Sequence, residues 1–375
     1  MAAKKLGFGL MRLPQVDSND PQSIDIEAMK RMVDLFIERG FTYFDTAYPY
    51  HGGKSELAFR ETVSRRYPRE AFTVTDKMPC WEVNSADDLE RIFNEQLEKC
   101  GVDYFDYYWL HALNKSYLAT MERVGGFDFI VRKAAEGKIK HPGFSFHDDS
   151  ATLEKILHDH AHQVEIVQLQ INYLDWEDPA IEARRCYEIC ERYGKKVVVM
   201  EPVKGGSLAH VPDAVAEMMA RHSPQASPAS WALRYAASLP NVMMVLSGMS
   251  NLAQVDDNTA VMKDFAPLDD EERAIINTAT GIIKDTIAVP CTACHYCTDG
   301  CPMNIAIPKY FAIYNTIKQF GKEQQWMDTS TYFSNLSHTR GVPSACIQCG
   351  QCEEHCPQHI SIIANLQKVA EVFEN

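Results

Sequence analysis

The sequence has no uninterrupted apolar run of about 18 residues, which excludes a membrane-spanning helix of the usual kind. Its opening stretch, Met1 to Pro14, lacks the apolar core and cleavage site of a secretory signal, so the expected location is cytoplasmic. Positive charge is scarce: 37 Lys and Arg stand against 51 Asp and Glu, a formal net charge of −14. Nucleic acid is therefore not the expected ligand, because phosphate binding needs a basic surface. A dinucleotide fingerprint is also missing after the first apolar run. Gly7 and Gly9 lie inside that run with no helix opening directly behind them, so they read as the start of a strand. With 46% hydrophobic and 23% charged residues, a wholly disordered chain is excluded as well.

What is present is an alternation. Apolar, β-rich runs at Leu6–Leu13, Thr42–Phe44, Phe72–Thr75, Phe105–Leu110, His141–Phe146, Ile166–Gln170, Lys196–Met200 and Val242–Leu246 predict strands. Helical patterns such as Ile26–Arg39, Ala86–Lys99, Pro179–Tyr193 and Pro228–Ser238 fall between them, with Gly40, Gly101, Gly137, Gly194 and Pro240 at the changeovers. Alternating strands and helices imply right-handed βαβ units and a parallel sheet. Eight strand candidates favour an α/β fold of the closed (β/α)₈ TIM-barrel type, with an open doubly wound sheet as the alternative. The expected division is a barrel at 1–262, a charged linker or helix at 263–287, and a small, mainly helical domain at 288–375 with helical segments at Ile307–Phe320 and Ile362–Phe373.

Eight of the 12 cysteines fall in that last region, in two runs of identical spacing. Cys291, Cys294, Cys297 and Cys301 precede Pro302; Cys346, Cys349, Cys352 and Cys356 precede Pro357. In a chain without an export signal, such clustering indicates metal rather than disulfides. Three closely spaced thiolates wrap one [4Fe-4S] cube, while the fourth, before the proline, serves the other cube of a pair. The expected ligand sets are thus Cys291, Cys294, Cys297 and Cys356 for one cluster, and Cys346, Cys349, Cys352 and Cys301 for the other. A pair of zinc sites fits poorly, since zinc is usually served by two separated Cys pairs. The segment Ala288 to Val372 resembles the α-helical ferredoxin domains attached to many redox enzymes.

Chemistry in a barrel is expected at the C-terminal strand ends. Asp45 and Tyr50 follow the second predicted strand, Lys77 the third and His111 the fourth. Each alone has a plain structural reading, as a helix cap, a packing ring, a surface charge or a loop histidine. Together they form a carbonyl-reduction set: Tyr50 donates a proton, Lys77 lowers its pKa, Asp45 holds Lys77, and His111 orients the carbonyl or shares the proton.

Residues 6 to about 261 resemble the aldo-keto reductases. The resemblance rests on Gly7–Pro14, on Phe44–Ala47 followed by Tyr50, on Gly137–Lys140 leading to Gly143–Ser145, and on Gln168 ahead of Asn172 and Tyr173. It implies a (β/α)₈ barrel and NADPH-dependent reduction of aldehydes or ketones, with Asp45, Tyr50, Lys77 and His111 as the catalytic tetrad. It further implies that Ser145 and Gln168 hold the nicotinamide amide, although the asparagine usual beside the serine is Phe146 here. Met200 stands where an aromatic often stacks on the nicotinamide. Ser247, Gly248, Gln254 and Asn258 occupy the adenosine-phosphate region, with Gly248 and Gln254 at the positions of the usual lysine and arginine. NADP thereby loses its electrostatic advantage over NAD. The family's C-terminal substrate arm is replaced in the chain by the cysteine-rich region.

Other candidates are weaker. His158, His160 and His162 read as a solvated loop, Cys186 and Cys190 as helix packing, and Cys80 as a residue that could line the pocket. The expected function is an iron–sulfur oxidoreductase acting on a small carbonyl/alcohol pair, with two [4Fe-4S] clusters and NAD(P)(H) as cofactors and a ferredoxin or other redox protein as a further partner. The alternative is an electron-transfer protein whose barrel is a docking or regulatory body.

Overall fold

The short apolar runs fold into eight parallel strands: β1 Leu6–Gly9, β2 Tyr43–Asp45, β3 Thr73–Pro79, β4 Phe105–Leu113, β5 Ile139–Phe146, β6 Ile166–Gln170, β7 Lys196–Met200 and β8 Val242–Gly248. They pair in chain order and β8 pairs back onto β1, giving the closed barrel that eight strand candidates implied. The structure is a computed structural model, and it describes residues 4–374 other than 18, 149, 178–180, 285–287, 321–329, 331–332, 335 and 338–339. The helices are α1 Ile26–Glu38, α2 Ser55–Phe59, α3 Ala86–Cys100, α4 Lys115–Val124, α5 Gly126–Ala135, α6 Ser150–His160, α7 Ala183–Arg192, α8 Asp213–His222, α9 Pro228–Ala237, α10 Leu252–Lys263, α11 Asp270–Lys284, α12 Ile307–Phe320, α13 Gln351–Glu354 and α14 Ile362–Phe373. Local chemistry sets several of their ends. Asp25 accepts from the Ala28 amide to start α1, Ser85 and Asp88 form a capping box on α3, and Gly101 closes α3 at φ 66°.

Differences from the sequence reading occur where polar residues enter a strand. β3 runs on past Thr75 to Pro79, because Asp76 and Lys77 pair in register with Tyr108 and Trp109 of β4. β4 continues to Leu113 through a register shift after Leu110, with Ala112 at φ 57°. Leu10–Arg12 leave β1 as a 3₁₀ turn. Helix α6 includes His158 and His160, which the sequence placed in a loop; His160 stacks on Phe127 at 3.7 Å. Helix α7 starts at Ala183, and 179–180 of its expected span lie outside the described residues.

Period-two alternation sorts the strand residues. Tyr43, Trp109, Ile166, Val198, Met244 and Leu246 pack together in one buried cluster. The glycines facing it make room for its side chains. A Cβ on Gly143 would lie 2.5 Å from that ring and 2.3 Å from the Ile166 carbonyl oxygen, and one on Gly7 would lie 2.7 Å from Leu246. Two residues further along the strands come Asp45, Lys77, His111, Ser145 and Gln168, all buried. Asp76 and Tyr108, of the opposite parity, instead meet α3 through Cys100 and Gln96.

The chain divides into two compact units, one of residues 1–178, 182–202 and 229–268, the other of 179–181, 203–228 and 269–375. Val203–Pro228, inside the expected barrel span, thus groups with the C-terminal residues. The second unit has its own core, which includes Val289, Ile305, Tyr310, Phe311, Ile360, Leu366 and Val369 together with Cys297, Cys352 and Cys356. Among the described residues no helix is long and apolar enough to cross a membrane.

Candidate active site and cluster-binding cavities

Asp45 ends β2, Lys77 and His111 sit near the ends of β3 and β4, and Tyr50 opens a short 3₁₀ turn behind β2. The four side chains meet. Lys77 Nζ donates to Asp45 Oδ1 at 2.6 Å and to the Thr46 carbonyl at 2.8 Å, and lies 5.0 Å from the centroid of the Tyr50 ring. The Tyr50 and His111 rings meet edge-on at 6.1 Å. Asp45 and Lys77 are 2% and 1% exposed, so this is a buried ion pair whose remaining valences matter. Asp45 Oδ2 and His111 Nδ1 are buried with no hydrogen-bond partner among the described residues.

The electrostatics depart from expectation at Tyr50. Lys77 was expected to pull its phenol down; burial instead pushes it well above its ordinary value, reinforced by the negative charges of Asp45, Glu201 and Asp76 and opposed by Arg12. The Lys77 ammonium itself is committed to Asp45 and Thr46, with the ring beneath it. Burial also raises the Asp45 carboxyl, and Lys77 offsets this only in part. The His111 imidazole is pushed well below its ordinary value by burial, then by Lys77 and His147, so it stays neutral at physiological pH. A neutral imidazole and a protonated phenol thus face each other beside a fixed ammonium.

The remaining positions are sorted by their partners. Ser145 Oγ accepts from the Ala112 amide at 2.7 Å, which pins the bulge after His111, and Ser145 pairs in register with Gln168. Met200 is half-buried at the end of β7, opposite Gln170. Asn258 donates to Ser247 Oγ at 2.8 Å, which ties α10 to β8. Gln254 accepts from the Ser250 amide, and its own amide donates to Asn251, so it builds the start of α10. Gly248 packs under the Arg12 stem, whose atoms lie 3.1–3.3 Å from where a Cβ would stand. Cys80, Cys186 and Cys190 are buried, and burial raises the Cys80 and Cys190 thiols, which suits packing rather than nucleophilic chemistry.

Three residues escaped the sequence reading. The Trp81 ring lies tilted against His111, with centroids 5.0 Å apart. Arg12 and Glu201 approach within 3.9 Å, and Glu201 holds φ 56° at the end of β7. Glu201 directly follows β7 and Trp81 lies two residues beyond β3, and that position was their only signal.

In the second unit the two cysteine runs repeat in conformation as well as spacing. Ala293 and Gln348 take φ 53° and 57°, His295 and Gly350 take 69° and 80°, and Asn304 and His359 take 54° and 49°. Left-handed turns at non-glycine residues cost about 1–2 kcal/mol each, and these curl each run so that its thiols converge. One cavity of about 300 Å³ is lined by Cys291, Cys294, Cys297 and Cys356. Another of about 330 Å³ is lined by Cys301, Cys346, Cys349 and Cys352. Each therefore takes three thiols from one run and the fourth from the other. Burial and the neighbouring Cys294, Cys291 and Cys356 push the Cys297 thiol up; burial, Cys346, Glu353 and Cys349 push Cys352 up to about 11. Such crowding of thiols calls for a cationic group between them. Among the described residues no three His, Cys, Asp or Glu side chains are gathered to hold a single metal ion. Thiols spread around a wider cavity suit a cube, so the donor sets fit [4Fe-4S] groups better than zinc.

A parallel (β/α)₈ barrel joined to such a cysteine-rich unit defines a class of barrel oxidoreductase with a ferredoxin-like domain. Residues 5–280 match the aldo/keto reductase family, and the chain belongs to it. Residues 290–361 match the 4Fe-4S dicluster domain. Solved structures similar to the chain include the aldo-keto reductase AKR11C1 from Bacillus halodurans in its holo form, 21% identical with TM-score 0.57, covering 73% of this chain and 91% of that one. The aldo/keto reductase from Klebsiella pneumoniae, in complex with NADP and acetate, is 18% identical with TM-score 0.59 and covers 74% and 95%. The aldo/keto reductase from Brucella melitensis is 18% identical with TM-score 0.55 and covers 73% and 94%. At these identities the likeness speaks for the fold. Comparison with curated proteins produced no match.

Proposed function

We propose that the barrel reduces, or reversibly oxidises, a small carbonyl/alcohol pair, with Tyr50 as the general acid/base. The observation that carries this reading is the buried Lys77–Asp45 pair set against the Tyr50 ring with a neutral His111 at its edge. Tyr50 keeps its proton across the working pH range and gives it up from Oη as a carbonyl oxygen gains charge. The Lys77 ammonium, fixed by Asp45 and Thr46, stabilises the phenolate left behind, and His111 orients the carbonyl as a neutral hydrogen-bonding group.

Ser145, Gln168, Met200, Ser247, Gly248, Gln254 and Asn258 would hold a nicotinamide dinucleotide. The Arg12 stem against Gly248 brings a cation close to one of the positions where the usual basic residue is missing. Cys291, Cys294, Cys297 and Cys356 would ligate one [4Fe-4S] cluster, and Cys346, Cys349, Cys352 and Cys301 the other. When bound, a nicotinamide supplies electrons in pairs and a cluster singly. A ferredoxin or similar redox protein is the proposed partner for the clusters.

The test is Tyr50→Phe in anaerobically purified protein carrying its clusters. Carbonyl turnover is expected to fall by about 10²–10⁴-fold while cluster absorbance and dinucleotide binding persist. Unchanged turnover would overturn the assignment of Tyr50. Titration with NADH and NADPH, followed by nicotinamide fluorescence, reads out the cofactor; binding of neither would favour the docking-body alternative.

A further inference from the structure

The two cysteine cavities share a backbone pattern but differ in the side chains around them. At matching places in the two runs, the first cavity has Thr292 and Gln358 where the second has Ile347 and Met303. Gln358 also has a charged partner from a distant part of the chain. Lys204 is 3% exposed, and its Nζ donates to Gln358 Oε1 at 3.3 Å. The loop that carries it is clamped in place. Lys204, Gly205 and Gly206 take φ of 48°, 64° and 101°, and a Cβ on Gly205 would fall 2.2 Å from the Thr292 carbonyl oxygen. Only glycine permits so close an approach in that conformation.

We propose that Lys204, acting through Gln358, sets the reduction potential of the cluster held by Cys291, Cys294, Cys297 and Cys356, and so makes the two clusters electronically unequal. This rests on the cluster assignment above and not on the carbonyl chemistry. A thiolate-ligated cluster is net negative and becomes more so on reduction, so a buried cation favours the reduced form. Lys204 can only donate, which identifies the Gln358 atom it meets as the carbonyl oxygen and makes the NH₂ group the donor that Gln358 offers elsewhere. The apolar lining of this cavity, including Ile307, Phe311, Ile360 and Ile362, limits screening by water. Lys204 is a positioning residue, since it acts through Gln358.

The experiment is an anaerobic redox titration of the full-length protein with both clusters, read by electron paramagnetic resonance, on the wild type, Lys204→Met, Lys204→Arg and Gln358→Glu. Lys204→Met is expected to lower the reduced-to-oxidised ratio of one cluster about tenfold at a fixed poise, equivalent to about 59 mV for one electron, and to leave the other unchanged. Lys204→Arg should stay within about twofold of the wild type on the same scale. Gln358→Glu should shift the same cluster in the same direction as Lys204→Met, and decides the matter if Lys204→Met does not assemble. A potential unmoved in Lys204→Met, or in Gln358→Glu should Lys204→Met not assemble, or two clusters shifted equally, would overturn the proposal. A wild type lacking two clusters' worth of iron would instead overturn the ligand assignment on which it rests.

Discussion

The His111 ring meets those of Tyr50 and Trp81 and feels the Lys77 charge, and its chemistry follows from burial that disfavours the charged imidazolium. Its folded pKa is far below the ordinary histidine value of about 6.5, so at lower pH the unfolded chain binds a proton that the folded chain refuses. Stability must then fall on acidification, by about 1.4 kcal/mol per pH unit for one such group. Above about pH 7 neither state is protonated at this residue and the contribution is flat. His111→Gln removes it. Chemical unfolding of the wild type and the variant between pH 8 and pH 5 should give curves that run parallel above about pH 7 and converge or cross below about 6.5; curves parallel throughout would contradict a neutral buried imidazole.

Strand β5 shows how an element positions these side chains without contributing a charged one. Gly143 leaves space for the Trp109 ring, and Ser145 two residues on holds the bulge that follows His111. Gly143→Ala would drive a methyl group into the Ile166 carbonyl and the Trp109 ring, so the strand or the ring must shift. A loss of about 1–3 kcal/mol is expected, with turnover reduced because the disturbed layer supports His111. Gly281 in α11 is the counterpart, with nothing within 4 Å of a Cβ and ordinary helical backbone. Gly281→Ala should gain about 0.4–1 kcal/mol. Thermal unfolding of both variants separates crowding at Gly143 from any general effect of replacing glycine.

For the molecule as a whole, segments far apart in the chain complete each other. Each cysteine cavity draws its fourth thiol from the other run, so the two cavities are interlocked. Pairs of substitutions distinguish crossed from uncrossed ligation. Cys301→Ser with Cys349→Ser should remove one cluster, about half the iron, whereas Cys301→Ser with Cys294→Ser should remove both. Iron and sulfide analysis reads the result, and the reverse pattern would mean that each run keeps its own cube. The second unit also draws on Val203–Pro228, where Lys204 and Leu208 are buried and Gly205 lies against Thr292. A chain ending at residue 287 should expose 203–209, which limited proteolysis would detect as cleavage absent from the full-length protein.

Much of this was readable from the residues in order. Barrel strands reveal themselves as apolar runs, so β6 and β7 fall where expected, and paired runs of four cysteines before proline admit few other readings. Asp45, Tyr50, Lys77 and His111 stood out because strand ends are where polar residues collect. Three features were not readable, each because it depends on residues distant in sequence. Asp76 and Lys77 belong to a strand only because Tyr108 and Trp109 pair with them. The Tyr50 phenol rises rather than falls because the fold buries it and sets Asp45, Glu201 and Asp76 around it, while the Lys77 ammonium is held by Asp45 and Thr46; sequence order says nothing of either. Lys204 meets Gln358 across 154 residues of chain, and the neighbouring Gly205 lies against Thr292. Local pattern determines which elements form; the direction of a charge, the packing of a ring and the company of a buried lysine depend on the folded neighbourhood, where long-range contacts set solvation and field.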